Sequence, residues 1–121
     1  MSKPHKKLVA WSKSMDLVER IYEVTRTFPR EEIYGLTSQL RRAAVSVPSN
    51  IAEGAAGRSK IQFRNYLSVA LGSLNELDTQ LEIARRIRYL GPQAFQACER
   101  MVDECIAVTY GLRKSLERNR V

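Results

Sequence analysis

The sequence predicts an all-α fold, an up-down-up-down antiparallel four-helix bundle, on three observations. Apolar residues recur at steps of three and four through four separate segments. None of these segments shows the period-two alternation of a half-buried strand. Glycine and proline punctuate the joints, leaving connections so short that consecutive helices must lie antiparallel side by side. At 121 residues, 44% of them hydrophobic, the chain is expected to form a single domain, 1–121, with apolar content for one core.

Residues 1–9 read as a basic lead-in, loose until Leu8 and Trp11 find a surface to pack on. Helix one is expected over 10–27, with Trp11, Val18, Ile21 and Phe28 as its stripe and Met15, Leu17, Tyr22 and Val24 widening it. Phe28-Pro29 stops it, because the residue before proline avoids helical angles. Glu31 and Glu32 suit the positive end of a second helix over 34–56, whose start Gly35 leaves open between Pro29 and Thr37.

Helix two contains the one conflict between local and periodic signals. Its stripe of Leu36, Leu40, Ala43, Ala44, Val47, Ile51 and Ala55 runs straight across Pro48. Proline lacks an amide hydrogen and crowds the carbonyl four residues back. Local chemistry therefore offers a break, with Asn50 as N-cap and Glu53 as its reciprocal partner. Periodicity offers one helix kinked at Pro48. The second reading is adopted, because a helix starting at Asn50 would meet Gly54 and Gly57 almost at once.

Helix three is expected over 59–90, opened by a capping box of Ser59 and Gln62. Phe63, Leu67, Ala70, Leu74, Leu77, Leu81 and Ala84 alternate steps of four and three, a seam for shallow crossing angles. Gly72 and Ser73 weaken this helix, which is tolerable where another backbone comes close. Gly91-Pro92 opens helix four over 92–118, with Pro92 at a first helical position. Its stripe is Phe95, Cys98, Val102, Cys105, Thr109, Leu112 and Leu116, and residues 119–121 form a frayed tail. Met101 and Val108 widen it as helix one is widened. These broad arcs imply a second buried surface and a homo-oligomer.

The chemistry available is limited. Cys98 and Cys105 share one helix face about 10 Å apart, too far to bridge, and read as buried free thiols. His5 is the only histidine, so zinc, di-iron, Ser-His-Asp and Cys-His arrangements all lack members. No glycine-rich loop follows a strand to cradle phosphate. The expectation is a protein without catalytic, metal-binding or cofactor-binding residues. No run is long enough to span a membrane, and the basic N-terminus lacks the apolar core of a signal peptide, so a cytoplasmic protein with no membrane partner is expected.

Charge is the remaining signal. Twenty Lys and Arg against thirteen Asp and Glu give +7, and fourteen of the twenty are Arg, suited to phosphate and carboxylate recognition. The bundle topology gathers Lys3, Lys6, Lys7, Lys13, Arg58, Lys60, Arg64, Arg113, Lys114, Arg118 and Arg120 at one end, against only Asp16, Glu53 and Glu117. Arg58, Lys60, Arg64, Arg113, Lys114 and Arg118 are the candidate contacts to RNA or DNA phosphates, without base reading because few aromatics lie among them. The alternative is solvated surface charge on a structural or protein-docking oligomer.

Two further groups have two readings each. Gln39, Arg42, Ser46, Ser49, Asn50 and Glu53 flank the apolar face of helix two. They form either a recognition surface or a set of structural bonds, with Ser49 and Asn50 serving carbonyls freed by Pro48 and Arg42 pairing with Glu76 or Asp78. Tyr22, Tyr34, Tyr66, Tyr89 and Tyr110 either stack on bases or sit at bundle edges and interfaces.

Trp11, Phe28-Pro29, Tyr34-Gly35-Leu36, Gln39, Arg42-Ala43-Ala44, Ser46-Val47-Pro48-Ser49-Asn50-Ile51-Ala52-Glu53-Gly54 and Gly72-Ser73-Leu74-Asn75-Glu76-Leu77 together resemble the 23S rRNA-intervening-sequence protein family. The match spans roughly residues 8–90. Asp78 departs from it, standing where Glu is more frequent, and helix four matches in pattern only. The resemblance implies a left-handed four-helix bundle assembled into a homopentameric ring. Some members of that family are encoded within insertions in bacterial ribosomal RNA genes. A more distant relative is the accessory protein of diversity-generating retroelements, which binds nucleic acid and a reverse transcriptase. No catalytic residue carries over, and the family name describes a genetic location rather than an RNA-binding activity.

Overall fold

The structure, a computed structural model, describes residues 3–57 and 59–117. Among them are α1 (Val9–Thr25), α2 (Leu36–Gly54), α3 (Lys60–Arg86) and α4 (Pro92–Glu117), with 3-10 turns at Pro4–Lys7 and Arg30–Glu32 and no strand. The tail expected at 119–121 lies outside the described residues. Each helix packs on its chain neighbours, and α4 closes back on α1. The pairing is antiparallel throughout. Arg41 Nε donates to Thr25 Oγ1 between α2 and α1 at 2.9 Å, and Ser46 meets Ser73 between α2 and α3. Arg113 reaches Ser68 between α4 and α3, and Lys13 reaches Glu104 between α1 and α4.

The core follows the expected seam. Leu67, Leu74, Leu77 and Leu81 of α3 have no exposed surface, nor do Leu40, Val47 and Ile51 of α2 or Val102 of α4. Alanines at 44, 70 and 84 are equally buried, and such small side chains let neighbouring helices close up. In α1 the inward axis is rotated from the expected one. Leu17 and Ile21 are fully buried, whereas Trp11 and Val18 are half-buried along a groove shared with α2. An arc that broad does not identify its own centre, and packing against two neighbours selects it. Both cysteines are buried and free.

Pro48 is buried inside an unbroken α2. Asn50 is no N-cap. Its Nδ2 donates back to Ser46 O at 2.8 Å and Ser46 Oγ at 3.0 Å, a bracing contact across the proline turn. Ser59 caps α3 as its spacing requires, accepting from Gln62 N at 3.1 Å. Four helix ends depart from expectation by two residues or more, and one of them is the end of α2, at Gly54 rather than 56. Helix α1 ends at Thr25 rather than 27, where the Thr25 hydroxyl bonds back to Ile21 O at 2.7 Å and Phe28 N closes on Thr25 O at 3.1 Å. Helix α2 begins at Leu36 rather than 34, where Glu32 Oε1 accepts from Leu36 N at 2.9 Å. Helix α3 stops at Arg86, four residues early, because Arg88 adopts a left-handed φ of 67°. Tyr89 N then reaches Ala84 O at 2.9 Å and Arg88 N reaches Arg85 O at 3.1 Å, the two bonds of a Schellman motif.

Leu8 of the lead-in and Trp11 find the surface expected for them, packing against the core. Pro4–Lys7 forms a 3-10 turn packed on α1 and α2, and His5 sets its ring edge-on to Trp11 at 5.1 Å.

Candidate nucleic-acid interface

The antiparallel pairing brings the start of α1, the end of α2, the start of α3 and the end of α4 to one pole. Gly54, at the end of α2, lies so close to α3 that a Cβ there would fall 2.8 Å from Phe63 Cδ1 and 2.9 Å from Tyr66 Cβ. That contact anchors the α2–α3 connection and so positions the first turns of α3, where Lys60 is exposed and Arg64 half-buried. From α4, Arg113 Nη1 donates to Ser68 Oγ at 3.1 Å, and Ser68 Oγ donates in turn to Arg64 O at 3.0 Å. The last turns of α4 are thereby fastened beside the start of α3. Lys114 is exposed next to this contact. The structure thus brings together four of the six expected residues, Lys60, Arg64, Arg113 and Lys114. Arg58 and Arg118 lie outside the described residues.

The electrostatics of this pole differ from those elsewhere. Lys60, Arg64 and Lys114 make no ion pair or hydrogen bond through their side chains with any described residue, and Lys13 only approaches Glu104, at 4.0 Å. At the opposite end of α3, Arg85 and Arg86 both bond Glu82, and these bonds hold its carboxyl below the ordinary carboxylate range. Arg20 is likewise 3.0 Å from Glu23. Arg42 is also unpaired, but it shares its groove with Glu76. The basic pole has cations and few acids to match them.

Tyr110, one of the five tyrosines weighed from the sequence, joins this pole through a pairing with Arg113 that the sequence reading did not draw. The Arg113 guanidinium sits 5.3 Å from the centre of the Tyr110 ring, and Tyr110 is 47% exposed. The i,i+3 spacing of Tyr110 and Arg113 on α4 was the available signal. Tyr34, by contrast, is almost fully exposed beside the Arg30–Glu32 turn, at the opposite pole.

A second surface is apolar. Trp11, Met15, Val18, Val45, Pro48 and Ala52 line an open groove of about 350 Å³ between α1 and α2. Met15 and Val45 are exposed along it, with Tyr22 and Ile33 beyond.

The described residues contain no group of three or more His, Cys, Asp or Glu placed to hold a metal, and no helix long and apolar enough to cross a membrane. The family model described as 23S rRNA-intervening sequence protein matches residues 6–111. The crystal structure of a protein of unknown function from the S23 ribosomal protein family of Bacteroides thetaiotaomicron VPI-5482 is similar in fold. It is 23% identical with a TM-score of 0.80, over 88% of this chain and 96% of that one. No curated protein matches the chain.

Proposed function

Because the chain belongs to the 23S rRNA-intervening sequence protein family, we propose that it is a non-enzymatic, cytoplasmic homo-oligomer that contacts nucleic-acid phosphates through its basic pole. The observation that carries this reading is the absence of partners for Lys60, Arg64 and Lys114 among the described residues, where most neighbouring charges have the same sign. Clustered like charge destabilises a protein unless an anion meets it, and phosphate contacts release counterions when it does. In a ring whose subunits point the same way, these poles form one positive rim. A five-membered ring is the stoichiometry the resemblance implies. Contacts of this kind position a backbone without reading its sequence, and the exposed Tyr110 beside Arg113 adds one aromatic face.

The test reverses Arg64, Arg113 and Lys114 to Glu and titrates single- and double-stranded RNA and DNA at two salt concentrations. The expected result is weaker binding, with the log–log salt slope falling by roughly 0.7 to 0.9 for each phosphate no longer neutralised. Unchanged affinity in the variant, or no binding by the parent at low salt, overturns the proposal. The exposed apolar groove between α1 and α2 then favours the second reading, a structural or protein-docking oligomer whose positive charge serves solubility.

A further inference from the structure

The groove between α2 and α3 has a volume of about 360 Å³ and is lined by Gln39, Arg42, Ala43, Ser46, Ser73 and Glu76. Structural bonding accounts for part of it. Asn50 Nδ2 braces Ser46 O and Oγ, and the Ser46 and Ser73 hydroxyls meet at 2.9 Å across the two helices. It does not account for Arg42. Although Glu76 lines the same groove, Arg42 makes no ion pair or hydrogen bond through its side chain with any described residue. The other expected partner, Asp78, feels the charge of Asp103 on α4 and so sits on the far flank of α3.

The two serine hydroxyls carry two protons but share one hydrogen bond, and Ser46 Oγ already accepts from Asn50. Whichever serine donates, the other hydroxyl proton has no acceptor among the described residues. The groove therefore offers an unpaired guanidinium, a spare hydroxyl proton and the amide of Gln39, which is exposed. Across from Arg42, the Glu76 carboxylate is held by Gln80 Nε2 at 3.3 Å, and Gln80 is only 5% exposed with its Oε1 unpartnered.

The geometry points to a binding site for a small amino carboxylate, a free α-amino acid being the simplest member of that class. Its carboxylate would take Arg42 and the serine proton, and its ammonium would face Glu76. One positive and one negative wall sum to no net charge, which selects a zwitterion over phosphate or a dicarboxylate.

The experiment is calorimetric titration of the full chain with L-alanine, L-glutamine, acetate and inorganic phosphate. It is repeated on Arg42→Gln and Glu76→Gln, two exposed positions whose variants are checked for helicity by circular dichroism. The expected result is saturable amino-acid binding by the parent, weakened about tenfold or more in each variant, with acetate weak and indifferent to Glu76→Gln. The variant carrying Glu at positions 64, 113 and 114 should retain this binding, which separates it from the basic pole. No saturable amino-acid binding by the parent overturns the proposal, as does phosphate binding more tightly or affinity unchanged in both variants. A drop in oligomer mass in Arg42→Gln also overturns it, because the groove would then be covered by a second copy.

Discussion

Thr109 places a hydroxyl where nothing bonds it: the residue is fully buried on α4, and its Oγ1 has no partner among the described residues. An unsatisfied buried hydroxyl costs about 1 to 3 kcal/mol, and valine has the same shape and branching without it. Thr109→Val is therefore expected to raise stability by about 1 kcal/mol, read from the urea midpoint at unchanged m-value. Four residues back, burial pushes the Cys105 thiol from 9.0 up to about 11. The unfolded chain releases that proton first, so stability is fully present below about pH 9 and falls as pH rises towards 11. The decrease is on the order of 2 to 3 kcal/mol. Urea melts at about pH 8 and 10.5 should show it, with a smaller decrease in Cys105→Ala; equal decreases in the two proteins would assign the effect elsewhere.

Helices carry the contrast between glycines that touch something and those that do not. At Gly54 a Cβ would collide with Tyr66 Cβ, an atom that cannot swing away from its own backbone. At Gly72 it would meet nothing within 4 Å. Gly54→Ala is expected to destabilise by about 1 to 3 kcal/mol and Gly72→Ala to stabilise by up to about 1 kcal/mol, both measured by thermal or urea unfolding. The chain itself supplies no close backbone at Gly72, contrary to the sequence expectation. Helix ends mark the boundary of legibility in the same way. Ser59-x-x-Gln62 and the stripe through Pro48 were readable because each is a local pattern with one mechanical meaning. The end of α3 was not, because its left-handed position is held by Arg88, which carries no such signal. Gathering Lys60, Arg64, Arg113 and Lys114 needed only topology. The missing partner of Arg42 needed coordinates, since a sequence offers Glu76 and Asp78 without saying which flank each occupies.

On the proposed function, the whole molecule combines two surfaces expected to respond to salt with opposite sign. The groove of Trp11, Met15, Val18 and Val45 leaves apolar area that association would cover, with Met15 37% and Val45 40% exposed. In an assembly with parallel subunits, however, the basic poles are brought together, and their repulsion opposes the contact. Screening over a Debye length of about 10 Å at 0.1 M salt relieves that repulsion while leaving apolar burial intact. Raising salt should therefore strengthen self-association and weaken nucleic-acid binding in the same preparation. Sedimentation of the parent at micromolar concentration should give an oligomer whose mass holds or grows with salt. The Met15→Lys, Val45→Lys double variant should give monomers with unchanged helicity, because both side chains lie on the surface. An oligomer that dissociates as salt rises would place ion pairs rather than apolar surface at the interface. A parent that stays monomeric at both salts would remove the rim and leave each subunit to bind phosphates through its own few cations, with a correspondingly shallow salt slope.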